Sequence, residues 1–530
     1  MSTADKPDPR APGLLALVHM ASRSSPKCHD AGSAFAPLQS PRSAPVPATS
    51  LLYASASLAL LQSMHFGWSL SQLNYSAFHA PDDCAETSPS AACLMFPGHS
   101  ASQWTLAVNA WVVGGMLGSL ASGALADAVG RRRTFQLNAV VMVVAAAVQS
   151  LSSSVELFSL GRWLAGLASG AATAMPNSYI NEIAPPHLRS HLGVGFQLVV
   201  AIGIVLVGST FFLVDGSPSA WRWIAAAPVV LAGFFLLAAP WYMVESPTWL
   251  LAQDRRVDAE RELTRLFGEE HVATALDWLG SSDDKTAQRH GPHLVRRCTS
   301  ESSGSGDADD LESPAVSPRS MTSAIAPSLF AVAYRRQTLL AVTLAGALQL
   351  SGINVVFLYS SSLFKDAGID DDRVGSLIVN VVNLLPSFVA GTLATRFGNR
   401  TMILLDQCVM LLSAVGLTVA LLVDVALLSI VFTSLYVAGF SVSLGPLAFL
   451  VASEIFPDAL RATGASLTLC VNWSCMLLIG VGYPYAASTL RDLGFLPFIA
   501  TLSFFLLLLG RTLPETLGKT SAEIQRCFAA

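Results

Sequence analysis

The sequence predicts an all-α membrane protein: twelve transmembrane helices in two six-helix bundles, with a polar insert between them. Three observations predict it. First, the 530 residues are 52% hydrophobic and only 13% charged, with a mean hydropathy of +0.53, where a soluble domain carries roughly a quarter charged residues. Second, the apolar residues fall into twelve runs of about the 20 residues that a helix needs to cross a bilayer. Third, short polar motifs at the run ends occur twice. Residues 182–189 read Glu-Ile-Ala-Pro-Pro-His-Leu-Arg and residues 454–461 read Glu-Ile-Phe-Pro-Asp-Ala-Leu-Arg. Gly130-Arg131-Arg132 is answered by Gly398-Asn399-Arg400, and Glu245-Ser246-Pro247 by Pro514-Glu515-Thr516. An internal repeat on an apolar background is the pattern of two parallel halves with a site between them.

The elements follow in order. Residues 1–50 are rich in Ala, Pro and Ser and show no signal-peptide pattern, so a disordered cytoplasmic tail is expected. Spans one to six are 51–73, 103–128, 134–153, 156–180, 190–213 and 221–243, giving a first bundle over 51–243. The insert, 244–336, divides in two. Val257, Leu263, Leu266 and Phe267 recur among charges at helical spacing within 255–280, and the Ser-, Asp- and Arg-rich stretch 281–323 is expected to be disordered. Spans seven to twelve are 337–363, 374–395, 401–422, 425–451, 462–486 and 493–513, a second bundle over 337–513, followed by a short cytoplasmic tail, 514–530. Gly439, Gly445 and Pro446 interrupt span ten. Proline cannot donate a backbone hydrogen bond, so this helix should kink or break.

Positive charge orients the bundle. Residues 74–102 contain no Lys or Arg, whereas Arg131, Arg132, Arg133, Arg189, Arg396 and Arg400 fall in loops on the opposite side. The positive-inside rule puts that side, the insert and both termini in the cytoplasm. Lys365, Arg373 and Arg491 are exceptions, and a plasma membrane is the default expectation. A net charge of −5 gives no nucleic-acid signal. Eight cysteines make no disulfide framework; Cys84 and Cys93 share one loop and either pair or stay free. No Cys/His cluster has metal-site spacing, no cofactor is expected, and no His/Asp/Ser constellation suited to catalysis lies within the spans, so the chain does not read as an enzyme. The sequon Asn74-Tyr75-Ser76 lies too close to the membrane for a good glycosylation acceptor.

Six segments now support a resemblance. Residues 127–133 (Asp-Ala-Val-Gly-Arg-Arg-Arg) resemble the loop between helices two and three of the major facilitator superfamily. Gly161-Arg162 followed by Gly166, Tyr179–Pro185, Glu245-Ser246-Pro247, Gln349–Asn354 and Pro514–Lys519 resemble its sugar porter family, the facilitative glucose transporters among them. The resemblance implies sugar transport by alternating access, with the bilayer and a small sugar as partners; the sequence leaves the oligomeric state open, and a monomer is expected to suffice. It also implies a cytoplasmic latch of ion pairs drawn from Asp127, Arg131, Arg132, Glu182, Arg189, Glu245, Arg400, Glu454, Arg461 and Glu515. Charges at that depth are costly unless paired.

A sugar offers hydroxyls that donate and accept, and an apolar C–H face. A matching site needs amides and an aromatic wall rather than charge. The resemblance assigns Gln197 in span five, Gln349 and Asn354 in span seven, Asn380 in span eight, and Asn472 beside Trp473 in span eleven. Val200 and Ile204 would form the apolar floor, and Phe449 would supply an aromatic surface from span ten. Phe357 and Tyr359 would cap the site where span seven bends, and Gly445 and Pro446 would let span ten gate it. Asn383 lacks this support and reads as an interhelical hydrogen bond.

Departures from the glucose-uniporter pattern bear on selectivity. Leu348 stands for the first glutamine of the span-seven pair, Ser441 for a glutamate, Phe449 for a tryptophan, and Leu358 for a tyrosine. Related proton–sugar symporters carry an Asp in span one, where this chain has Ser69. Asp406 and Asp424 lie near the ends of span nine; His65 is the remaining titratable candidate, although it reads better as a neutral imidazole bonded between helices; and Arg162 has no adjacent acid and should hold Ser69's neighbourhood open or bond backbone carbonyls. Facilitative transport (uniport) of a hexose is therefore expected. The alternatives are a proton-coupled sugar or polyol symporter and a non-transporting sugar sensor that signals through the tail and the Ser-rich insert.

Overall fold

The computed structural model describes residues 46–79, 84, 93–214, 219–287, 328–366 and 371–529. Span one is α1 (Ser50–Ser71), which Thr49 starts by accepting the Leu52 N–H at 3.3 Å. Spans two to five are α2 (Ala101–Val129), α3 (Arg131–Leu151), α4 (Val155–Ile183) and α5 (Pro186–Thr210). Span six is broken at Ala227 into α6 (Trp221–Ala226) and α7 (Pro228–Tyr242). The insert folds as α8 (Pro247–Ala252), α9 (Arg256–Phe267) and α10 (Val272–Ala287).

Span seven comprises α11 (Arg335–Leu350) and α12 (Ile353–Asp366). Span eight is α13 (Asp372–Phe397) and span nine α14 (Asn399–Leu422). Span ten comprises α15 (Ala426–Val442) and α16 (Leu444–Glu454), span eleven is α17 (Asp458–Leu490), and span twelve is α18 (Leu496–Thr512). A last helix, α19 (Ser521–Ala529), follows.

Among the described residues, nine helices are long and apolar enough to cross a membrane by length and composition alone. Spans one, four and twelve are not among them: the first two carry polar residues such as Gln62, His65 and Arg162, which are buried, and α18 is short of the length required. Helices two and four pack on small residues: a Cβ at Gly166 would lie 2.1 Å from the Trp111 carbonyl oxygen. Close backbone approach of this kind replaces the hydrophobic drive that lipid does not supply. The two halves meet where α2 packs on α17 and where α5 packs on α13.

Three expectations need correction. Span seven breaks at Ser351–Gly352, before Asn354 rather than beyond it, and Gly352 takes φ +91° there against the Phe498 ring. The helix of the insert runs on to Ala287, past residue 280; most of the stretch expected to be disordered, and residues 1–45, lie outside the described residues. The C-terminal segment is not a simple tail. In α19, Ile524 is buried, and Gln525 donates to the Ile455 carbonyl at 2.9 Å and accepts from Gln337 at 2.8 Å. The Cys84–Cys93 question closes as well: the two form a disulfide.

Candidate functional site

The repeated motifs are physically one device used twice. Gly130 and Gly398 take φ of +96° and +85°, which turn the chain sharply into α3 and α14. The first N–H groups of those helices have no partner within them. Glu245 supplies it in the first half, accepting from Arg131 N at 2.8 Å and Arg132 N at 3.2 Å. Glu515 does the same in the second half, accepting from Asn399 N at 2.9 Å and Arg400 N at 3.1 Å. A Cβ on either glycine would collide with its carboxylate, at 2.6 and 2.4 Å. Arg132 and Arg400 then donate to carbonyls at the ends of spans six and twelve, Pro240 at 3.0 Å and Gly510 at 2.7 Å.

The remaining charges also pair within one half in every bond described. Arg131 bridges Glu182 at 2.9 Å and the more exposed Asp127 at 2.8 Å. Arg189 donates to the Ala184 carbonyl at 3.0 Å. Arg461 and Thr516 lie beside Glu454. Asn399 stands at the repeat position of Arg131 and donates instead to Thr516 at 2.9 Å, so the two halves differ there.

On the opposite face, which carries the 74–100 loop, the halves are bonded directly. The Asn74 side chain donates to Ser360 Oγ at 2.8 Å and accepts from Ser361 N at 3.1 Å. Ser76 N donates to Ser361 Oγ at 2.8 Å, and Ser361 in turn donates to Asp372. His79 Nε2 lies 2.8 Å from Ser362 Oγ, while its ring stacks on Trp104 at 5.2 Å. Asn74 is thus buried in a seal. Arg373 bonds Asp371 at 2.8 Å and holds that carboxyl below the usual carboxylate range.

Between the two faces lies a layer of amides. Gln349 donates to Asn472 Oδ1 at 2.8 Å and accepts from Asn354. The structure therefore joins three of the assigned residues, from spans seven and eleven, into one chain of hydrogen bonds. Trp473 reaches into the first half, with its ring 5.9 Å from Phe66 and 5.6 Å from Trp111. Gln197 is half-buried on α5, at i, i+3 and i+7 spacing with Val200 and Ile204, which are buried. Phe449 is half-buried on α16. Asn380 faces Gly208 of span five, with its Nδ2 2.8 Å from where a Cβ there would be. Its Nδ2, like the Trp473 indole N–H, is buried with no hydrogen-bond partner. Asn383 accepts from Ser441 at 2.5 Å, the interhelical bond expected of it.

The residues expected to gate the site fall in spans seven and ten. Phe357 and Tyr359 are both buried. Tyr359 donates to the Gly480 carbonyl at 3.1 Å, tying span seven to span eleven within the second half. Gly445 and Pro446 lie just after the break in span ten, which falls at Ser443.

Several polar groups escaped the sequence reading. Gln62 and Asn138 bond at 2.7 Å, and Gln72 and Gln149 at 3.1 Å, all buried in the first half. Arg162, by contrast, bonds a backbone carbonyl as expected: it donates to Ser69 O at 2.9 Å and faces the Trp111 ring at 5.3 Å. The available signal was an amide inside an apolar run, the same signal that located Gln349.

Comparison with known proteins fits this geometry. The family model described as "Sugar (and other) transporter" matches residues 51–528. The solute carrier family 2 facilitated glucose transporter member 4 of Mus musculus is 30% identical over 491 residues, covering 89% of each chain. Plastidic glucose transporter 4 of Arabidopsis thaliana is 30% identical over 430 residues, covering 79% of this chain and 71% of that one. The solved partially occluded inward-open conformation of the xylose transporter XylE from E. coli superposes with a TM-score of 0.70 at 20% identity, over 89% of this chain and all of that one. A helical fold in two repeated halves and a family match over most of the chain lead to one conclusion: this protein belongs to the sugar transporter family of the major facilitator superfamily.

Proposed function

We propose that the chain is a facilitative hexose transporter that works by alternating access, with Gln197, Gln349, Asn354, Asn380 and Asn472 binding sugar hydroxyls. The buried donors Asn380 Nδ2 and Trp473 Nε1, which lack a protein partner, support this reading. Buried polar groups are almost always satisfied, so unpaired donors beside the amide layer suit a hydroxylated ligand. The loop face is read as extracellular and closed in this conformation. The charge clusters on the insert face, including Arg189, Glu454 and Arg461, would exchange partners across the halves as the protein turns outward. Both termini are placed in the cytoplasm of a cell bounded by a plasma membrane.

The observation that carries uniport is the setting of Arg162. It is fully buried and bonds the Ser69 carbonyl rather than a carboxylate, and span one offers no acid to pair with it. Proton coupling needs a titratable group in the path. The test is uptake of labelled glucose, galactose and fructose into proteoliposomes, with Asn354→Ala as the site control. Saturable uptake of at least one hexose that the variant impairs supports the reading. No hexose uptake by correctly folded protein overturns it in favour of a polyol carrier or a sensor.

A further inference from the structure

We propose that Asp406 is a positioning residue for the transport cycle: from span nine it caps the inner half of span ten and sets the angle of that half-helix. The proposal rests on the transport reading and extends it to a residue outside the sugar site and the latch.

The break at Ser443 creates a new helix start in the middle of the membrane. The N–H groups of a first helical turn have no partner inside the helix, and lipid offers none. Ser443 occupies the N-cap position and is a good capping residue type. Its hydroxyl nevertheless makes no capping bond and is buried without a partner. Pro446, third in α16, has no N–H to satisfy. The Leu444 and Gly445 N–H groups remain, and Leu444 donates to Asp406 Oδ2 at 3.0 Å across the gap from α14. Asp406 is itself buried. Its other oxygen packs on Gly439, where a Cβ would stand 3.0 Å away. One carboxylate thus touches span ten on both sides of its break.

The consequence follows from what α16 carries. Phe449 lies at its middle, Glu454 at its end, and Arg461 just beyond, at the start of α17. Tilting α16 therefore moves the aromatic surface of the site and the insert-face charges together. Tyr436, on the other side of the break, donates to the Ser351 carbonyl, so the fixed half of span ten is also tied to the break in span seven. Asp406 anchors the mobile half, and its capping bond is the one that must hold or yield when α16 swings.

The test compares Asp406→Ala, Asp406→Leu and Asp406→Asn in full-length protein. The amide oxygen of Asn keeps an acceptor, while Ala and Leu remove it. Hydrogen–deuterium exchange reads the cap without any reference to sugar. Residues 444–448 should exchange about tenfold faster in the Ala and Leu variants and within about threefold of wild type in Asn. Hexose uptake should show kcat falling about tenfold with KM changed by less than about threefold, with Asn restoring most of the rate. If Ala and Leu do not fold, Gly439→Ala displaces the same carboxylate from the other side and should give the same pattern. Unchanged exchange at 444–448, or faster exchange with unaltered kcat, overturns the proposal. Failure of wild-type protein to move any hexose would instead sink the transport reading, and the exchange result would still judge the cap.

Discussion

His79 makes closure of the loop face sensitive to pH, with a sign and a size that follow from its surroundings. Its Nε2 bonds Ser362 in the other half, and its ring is stacked on Trp104 with His99 on the same indole. Burial first, then the charges of His99 and Lys365, push the imidazole down to about 4. Asp371, Asp372 and Arg373 are the other charged groups at this seal, and Asp371 and Arg373 neutralise each other. When the face opens, the ring returns to water and to the ordinary value near 6.5. The closed state thus favours the neutral ring. Its advantage is complete above pH 6.5, and it is lost progressively as pH falls from 6.5 towards 4. At pH 5 the full shift amounts to about 2 kcal/mol. Because the residue is half-buried rather than enclosed, we expect about 1–2 kcal/mol, a five- to thirtyfold bias towards opening. The assay is apparent affinity for sugar added on the loop-face side at external pH 7.5 and 5, in wild type and in His79→Gln. The Gln variant keeps a neutral partner for Ser362 and cannot titrate in this range. External acid should raise the affinity in wild type only. An equal pH response in His79→Gln, or a lower affinity in acid, would refute the reasoning.

Three further outcomes follow from the same geometry. Replacing Glu245 or Glu515 with Ala strips the caps from α3 and α14, and each should cost about 2–3 kcal/mol in thermal or denaturant unfolding, against less than about 1 kcal/mol for Glu→Gln. Gly130→Ala and Gly398→Ala should be similarly damaging, because each adds a methyl group against a carboxylate at positive φ. Gln349→Ala should raise KM for a transported hexose about tenfold or more, since it removes the central member of the amide chain; a KM within twofold of wild type would remove Gln349 from the site.

Much of this was legible in the chain because membranes enforce simple rules. Long apolar runs and arginine-rich loops located the spans, and the doubled Glu-Ile and Gly-Arg motifs revealed two halves. The function of the repeat was harder to read. The sequence related Glu245 to Glu515, and Gly130 to Gly398, but not one pair to the other; only folding brings the glutamate after span six onto the start of span three. The Gln349–Asn354 motif points to its amides, whereas Gly352, at positive φ, sets the turn in span seven. In the sequence Asp406 is an acid near one end of span nine. In three dimensions that end lies beside the interrupted span ten, and no pattern within span nine announces it. Amides in the first half, such as Gln72 and Gln149, lie outside the motifs that carry the family resemblance, and only folding shows that they bond each other.

The most direct measurement of the central claim is the steady-state hexose ratio across proteoliposomes holding an imposed proton gradient. Facilitative transport predicts saturable uptake that levels off at equal concentrations inside and outside, with or without the gradient. Accumulation above equality that collapses with a protonophore would contradict the account, and would require a proton-binding group that the pairing of Arg162 with the Ser69 carbonyl does not provide.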